Sequence, residues 1–167
     1  MRLAVVMLAV LGLAVFAASS RAGGNASEPE RRCNHGAAAT DAEYQAVAAT
    51  VNLYFQGHAT GNGDFFRKAF HPDAKLFWVK DGALAQRTSA EFAAGATGKA
   101  SDDEARRVRK IAMIDIADDA AIAKVELDYP DMSFIDYLSL LKLDGKWVVV
   151  NKIFHRGAPR PTVPSHR

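Results

Sequence analysis

The sequence predicts an α+β domain: a long N-terminal helix and short helices packed on a curved antiparallel sheet, cone-shaped, with an internal pocket. Three observations predict it. Two Asp-Gly pairs, Asp81-Gly82 and Asp144-Gly145, each sit between apolar runs. Both central residues of a type I′ hairpin turn need φ > 0, and Asp-Gly supplies that cheaply. Between Tyr44 and His58, apolar residues recur at three- and four-residue spacing, the mark of an amphipathic helix. Helical patterns cluster early in the chain and strand patterns late, which segregates helices from an antiparallel sheet.

The chain opens MRLAVVMLAVLGLAVFAASSRAGG. Arg2 is a short positive region, Leu3 to Ala18 is apolar, and Ser20-Arg21-Ala22 offers small residues at the −3 and −1 positions. This reads as a signal peptide over residues 1–22, cleaved after Ala22, and places the mature protein in the periplasm or outside the cell. A retained anchor is the alternative, but the run is shorter than the roughly 20 residues a spanning helix needs. No second run is long enough, so no membrane contact is expected after cleavage.

Residues 1–22 carry two arginines. The remaining chain therefore has 19 Lys+Arg against 19 Asp+Glu. That balance argues against nucleic acid as a partner. Arg106, Arg107, Arg109 and Lys110 do cluster, but beside Asp102, Asp103 and Glu104. Cys33 is the single cysteine, so no internal disulfide is available and the fold must rest on its core. Asn25-Ala26-Ser27 is a glycosylation sequon, meaningful only in a eukaryotic secretory pathway.

Residues 23–39 read as a disordered tether and 40–155 as the domain. Thr40-Asp41-Ala42-Glu43 forms a capping box at the start of the long helix. Its stripe is Tyr44, Val47, Ala48, Val51, Tyr54, Phe55 and His58. Asn52 to Gly57 resembles a tag-removal protease site, but Val51 replaces the usual Glu and the segment stays in helical phase, so it is native. A second helix runs from Phe65 to Phe70 and stops at His71-Pro72. Lys75–Lys80 and Ala83–Arg87 make a first hairpin. Thr88 to Glu91 is another capping box, opening a helix to about Ala96. Arg106–Ile116 and Ala120–Tyr129 are two further strands. Phe134–His155 is the last hairpin, apolar on both faces and so central in the sheet. Residues 156–167, rich in proline, read as a disordered tail.

With Asp144-Gly145 as the turn, Leu143 faces Lys146 and the register runs outward: Leu138 opposite Asn151, Asp136 opposite Ile153, Phe134 opposite His155. Asp136, Asn151 and His155 then share one face. A carboxylate beside an imidazole can set its tautomer and raise its pKa, giving a general base. Asn151 would hold a substrate carbonyl. A mutually satisfied polar pair is the plainer alternative. Tyr54 points from the inner stripe of the helix, and Trp78 offers an aromatic wall. The histidines have no metal-ligand spacing, and there is no glycine-rich phosphate loop, so neither a metal nor a cofactor is expected.

Together Tyr54 and Gly57, Gly63-Asp64, Phe70-His71-Pro72-Asp73-Ala74, Ile114-Asp115-Ile116, Asp136-Tyr137-Leu138, Asp144-Gly145-Lys146-Trp147 and Asn151 to His155 form an ordered set. Over about Asp41 to His155 it resembles the nuclear transport factor 2-like (cystatin-like cone) superfamily, and within it the lumazine-binding and SnoaL-like proteins. The resemblance implies the cone fold. It leaves function open, because that fold hosts isomerases, hydrolases, cyclases and binding modules. The general-base position of the ketosteroid-isomerase branch falls near Trp78, which cannot take a proton.

Three functions fit. The first is an exported binding module for a small apolar or aromatic ligand, homodimeric through the outer sheet face. The second is a pocket isomerase, dehydratase or hydrolase using Asp136 and His155 as acid and base. The third is an interaction domain without a small ligand. A closed cavity favours the third, a wholly apolar pocket the first, and a pocket with perturbed ionisable groups the second.

Overall fold

The computed structural model describes residues 40–160. Helix α1 spans Asp41–Thr60, α2 Gly63–Ala69 and α3 Ser89–Ala94. The strands are β1 Phe70–Lys80, β2 Ala83–Thr88, β3 Val108–Ala117, β4 Ala120–Asp128, β5 Ser133–Leu143 and β6 Lys146–Gly157. One 3-10 turn, Glu104–Arg106, lies in the loop before β3. The six strands form one sheet in the order β2-β1-β6-β5-β4-β3.

The sheet is mixed: β1 and β6 run parallel, and every other pair is antiparallel. The expectation of a wholly antiparallel sheet is corrected at that one junction. Two units meet there, the β1–β2 hairpin and the β3–β6 meander, and their abutting strands share a direction. Parallel neighbours must be joined by a crossover rather than a turn, and a pairing of that kind leaves no short sequence signature. Three register shifts bend the sheet, in β1, β3 and β6, as an extra residue on one strand does.

The turn residues behave as expected. Asp81, Gly82, Asp144 and Gly145 all have positive φ. Thr88 and Glu91 form a complete capping box. At α1 the box is only half made. The Thr40 hydroxyl accepts from the Glu43 amide, but the Glu43 carboxylate accepts instead from Lys142 Nζ at 2.7 Å and Trp147 Nε1 at 2.9 Å. Thr50 Oγ1 adds a bond to the Trp147 carbonyl. A long-range clamp thus replaces the local one and fixes α1 over the start of β6.

Val47, Val51, Tyr54 and Gly57 form the buried stripe of α1. Tyr44, expected on that stripe, is 42% exposed. Gly57 lets the Phe66 ring lie against the helix: a Cβ there would sit 2.4 Å from the ring. Beneath α1, Tyr54, Phe66, Phe70 and Phe92 form an aromatic cluster. Tyr54 and Gly57, both within the segment that resembles a protease site, are therefore integral to the core.

Strand β6 continues through Gly157, two residues past the expected domain end. Arg160 pairs with Glu126 and Asp128 of β4. Residues 1–39 and 161–167, which include the expected signal peptide, tether and tail end, lie outside the described residues.

Candidate functional site

The site is created by one unpaired residue. The last hairpin starts in the expected register, with Leu143 opposite Lys146 and Leu140 opposite Val149. Val150 then has no partner, and Ser139 pairs with Asn151. Beyond that bulge every β6 residue is displaced by one, and side chains alternate, so the faces exchange. Asp136 faces Phe154, Leu138 faces Lys152, and Ile135 faces His155.

This corrects the expected pair. Asp136 and His155 lie on opposite faces of the sheet. His155 is exposed, in a groove with Phe77, Tyr137 and Ile153. Asn151 also moves to the outer side, where its Oδ1 is buried without a partner. Neither residue reaches Asp136. In their place the bulge delivers Lys152, which a simple alternation puts outside.

Tyr54, Asp136 and Lys152 meet inside the cone, at 1%, 0% and 4% exposure. Lys152 Nζ donates to Tyr54 Oη at 2.8 Å and to Asp136 Oδ2 at 3.1 Å. The Tyr54 hydroxyl donates to Asp136 Oδ2 at 2.5 Å. Asp136 Oδ1 is buried with no partner. Three ring faces surround the ammonium: Phe154 at 4.5 Å, Tyr54 at 5.0 Å and Phe92 at 5.5 Å. Such rings attract a cation through their quadrupole.

Burial governs the proton affinities here. It pushes the Lys152 amine below the ordinary lysine range, and Asp136 opposes that only in part. It raises the Tyr54 phenol well above its usual value, helped by the adjacent Asp136. A charge taken out of water favours its neutral form unless it is fully paired.

Tyr54 and Lys152, with Asp136 behind them, form the floor of a chamber of about 160 Å³. Its walls are apolar, mainly Leu76, Leu127, Phe92, Phe134 and Phe154. An apolar cavity of about 150 Å³ holds one benzene, so a ring-sized compound fits. A second pocket of about 190 Å³ shares His58, Phe92 and Arg87 with the first and leads towards Gly61 and Ser101. Trp78 stands beside this route. It stacks on Phe154 at 5.4 Å, and the Arg87 guanidinium lies over its ring at 5.2 Å.

His58 lies one turn beyond Tyr54 on α1 and lines both pockets. Its ring packs edge-on against Tyr54 at 4.6 Å and against Phe66 at 5.1 Å. Its Nε2 is buried with no partner. Desolvation, followed by the nearby cations Lys152, Arg109 and Arg107, holds it well below the ordinary histidine range. It is a neutral imidazole facing the chamber.

Of the residues singled out from sequence, the structure brings together Tyr54 and Asp136, sets Trp78 against Phe154 and Arg87 where it lines the outer groove rather than the chamber, and separates Asn151 and His155. Lys152, His58 and Arg87 were missed. A lysine inside the apolar run Trp147–Phe154 was one signal, and the four-residue step from Tyr54 to His58 was another. Among the described residues, no three His, Cys, Asp or Glu side chains converge on a metal position. No helix among them is long and apolar enough to cross a membrane.

A family model described as "Putative lumazine-binding" matches residues 42–155. The chain belongs to this family. An aldolase, FrzH, from Cladobotryum sp is 33% identical over 124 residues, spanning 70% of this chain and 93% of its own length. A crystal structure of an NTF2-like protein of unknown function from Shewanella baltica OS155 is 29% identical, with a TM-score of 0.64, over 74% of this chain and 99% of that one. A third relative, an NTF2-like protein of unknown function from Methylobacillus flagellatus KT, is 30% identical at a TM-score of 0.62, with the same coverage. This lumazine-binding-family domain is thus an NTF2-like cone with a chamber of small-molecule size.

Proposed function

We propose that the chamber binds a small carbonyl compound and stabilises its enol or enolate, the half-reaction that precedes carbon–carbon bond formation in an aldol addition. One observation carries this reading: a buried lysine lines a mainly apolar chamber, bonded to a tyrosine hydroxyl and to a carboxylate behind it, with His58 and Arg87 as the other ionisable side chains of the lining. A wholly apolar pocket would suit passive sequestration. A preorganised cation and hydroxyl donor suit the charge that develops on a carbonyl oxygen as its α-proton leaves. Neutral His58 is the base within the same space. Arg87 at the mouth is an exposed cation without a carboxylate partner among the described residues, and it would favour a ligand with an anionic end. The kinship with a protein named as an aldolase supports the same chemistry.

The test is α-hydrogen exchange. Cyclohexanone and pyruvate are incubated in D₂O with the protein and followed by proton NMR. Exchange above the buffer rate, lost in Lys152→Met and reduced at least tenfold in His58→Phe, is the expected result. Equal exchange in all three removes the proposal and leaves a binding module.

The same proposal includes export and pairing. Residues 1–22 carry the pattern of a cleaved signal, and the intact mass of protein recovered from its host should begin at Gly23. The outer sheet face is apolar and open. Its groove, about 350 Å³, is lined by Phe77, Leu84, Tyr137 and Ile153, and Val79 and Leu84 are each 75% exposed. Large apolar patches of this kind mark interfaces, and a second copy of the chain is the proposed occupant.

A further inference from the structure

We infer that Lys152 acts covalently, condensing with the carbonyl carbon of the substrate to form an iminium on the chamber floor. The inference rests on the carbonyl reading above and deepens it. A lysine that activates a carbonyl can do so as a fixed cation or as a nucleophile, and the surroundings of this one fit the second role.

Nζ has one open side. Asp136 and the Tyr54 hydroxyl stand behind it, and the chamber stands in front. Attack requires a neutral amine, so the ammonium must give up a proton to a neighbour. Asp136 Oδ2 touches it at 3.1 Å and takes the proton there, and Oδ1 of the same carboxylate has no other partner. In a buried pair the neutral amine and acid avoid the cost of two desolvated charges. Burial already lowers the proton affinity of Lys152, the usual route by which a lysine becomes a nucleophile.

The step balances. The Lys152 ammonium passes a proton to Asp136, and the amine attacks the carbonyl carbon, forming the C–N bond. The alkoxide so formed takes one proton from Nζ and a second from the Tyr54 hydroxyl, which is reprotonated from Asp136, and the C–O bond breaks. Water leaves, and the product is a protonated imine on Nζ. One cation has replaced another at the same place. The iminium therefore inherits both the carboxylate and the rings of Phe154, Tyr54 and Phe92 that held the ammonium. Loss of an α-proton to His58 then gives an enamine, which is the carbon nucleophile. The apolar walls slow premature hydrolysis by keeping water scarce.

Borohydride trapping decides it. The protein is incubated at pH 7 with cyclohexanone or pyruvate, reduced with sodium borohydride, and mapped by peptide mass spectrometry. A single reduced adduct at Lys152, at least tenfold above that at the solvated Lys75, Lys80 or Lys146, is expected. Lys152→Arg should lose it, and Tyr54→Phe should slow it. The map of the unaltered protein is decisive even where a variant fails to fold. Labelling confined to surface lysines overturns the inference. If α-exchange persists in that case, the carbonyl reading stands and Lys152 works as a cation. If exchange is absent too, both fall.

Discussion

Lys152 Nζ lies 3.1 Å from Asp136 Oδ2, and both side chains are shut off from solvent, at 5% and 0% exposure. One residue comes from β5 and the other from the far side of the β6 bulge. A surface pair at that distance contributes little. This pair has surrendered its hydration, so each charge depends on the other. Asp136→Ala should destabilise the domain by about 3–5 kcal/mol, because it strands a buried ammonium. Asp136→Leu combined with Lys152→Met should cost far less than either change alone. Urea denaturation of the two single variants and the double variant measures the coupling. Additive costs would show that the two groups do not sense each other.

His58 makes stability depend on acidity. Its folded-state proton affinity lies well below the ordinary value of 6.5. The unfolded chain therefore binds a proton that the folded chain refuses. By linkage, this contribution is intact above about pH 6.5 and is lost as pH falls from there towards the lowered folded value. The slope reaches at most about 1.4 kcal/mol per pH unit. His58→Phe should flatten the difference between denaturation midpoints at pH 7 and pH 5.5. An unchanged slope would mean that the imidazole titrates freely in the folded protein.

Gly57→Ala sets two rules against each other. Within a helix, alanine is favoured over glycine by about 1 kcal/mol. Here the new Cβ would meet the Phe66 ring at 2.4–2.8 Å, and overpacking costs about 1–3 kcal/mol. We expect net destabilisation, seen as a lower melting temperature by circular dichroism. Gly57→Ala with Phe66→Leu should recover part of it.

Ile153 and Leu84 lie on the outer apolar face, 51% and 75% exposed. Ile153→Glu or Leu84→Glu should shift a dimer to monomer in sedimentation velocity while leaving α-exchange in the chamber intact. A protein that is monomeric before the change would end that part of the proposal.

The fold was legible because its signals are local. Asp81-Gly82 and Asp144-Gly145 set two turns through backbone sterics alone, Thr88 caps α3 within one turn, and the apolar stripe of α1 needs only a count of residues. The site was half legible. Tyr54 and Asp136 were found because each stands on the inward face of an element whose phase is unbroken up to that point.

What failed was phase carried across a bulge. Val150 in β6 and Ala112 in β3 each lack a partner, and beyond each one alternation assigns the wrong face. Ile111 and Ile114 thus both pack against the core, although an unbroken alternation separates them. Lys152 was placed outside, and His155 inside, for the same reason.

The amino-acid sequence by itself determined the family, the order of helices and strands, and the two β-turns, since each depends on residues close together in the chain. Only the tertiary structure decided which ion sits inside the cone and that β1 joins β6 in parallel. A bulge is chosen by the whole sheet, which bends to wrap α1 and accepts one unpaired residue where the curvature requires it.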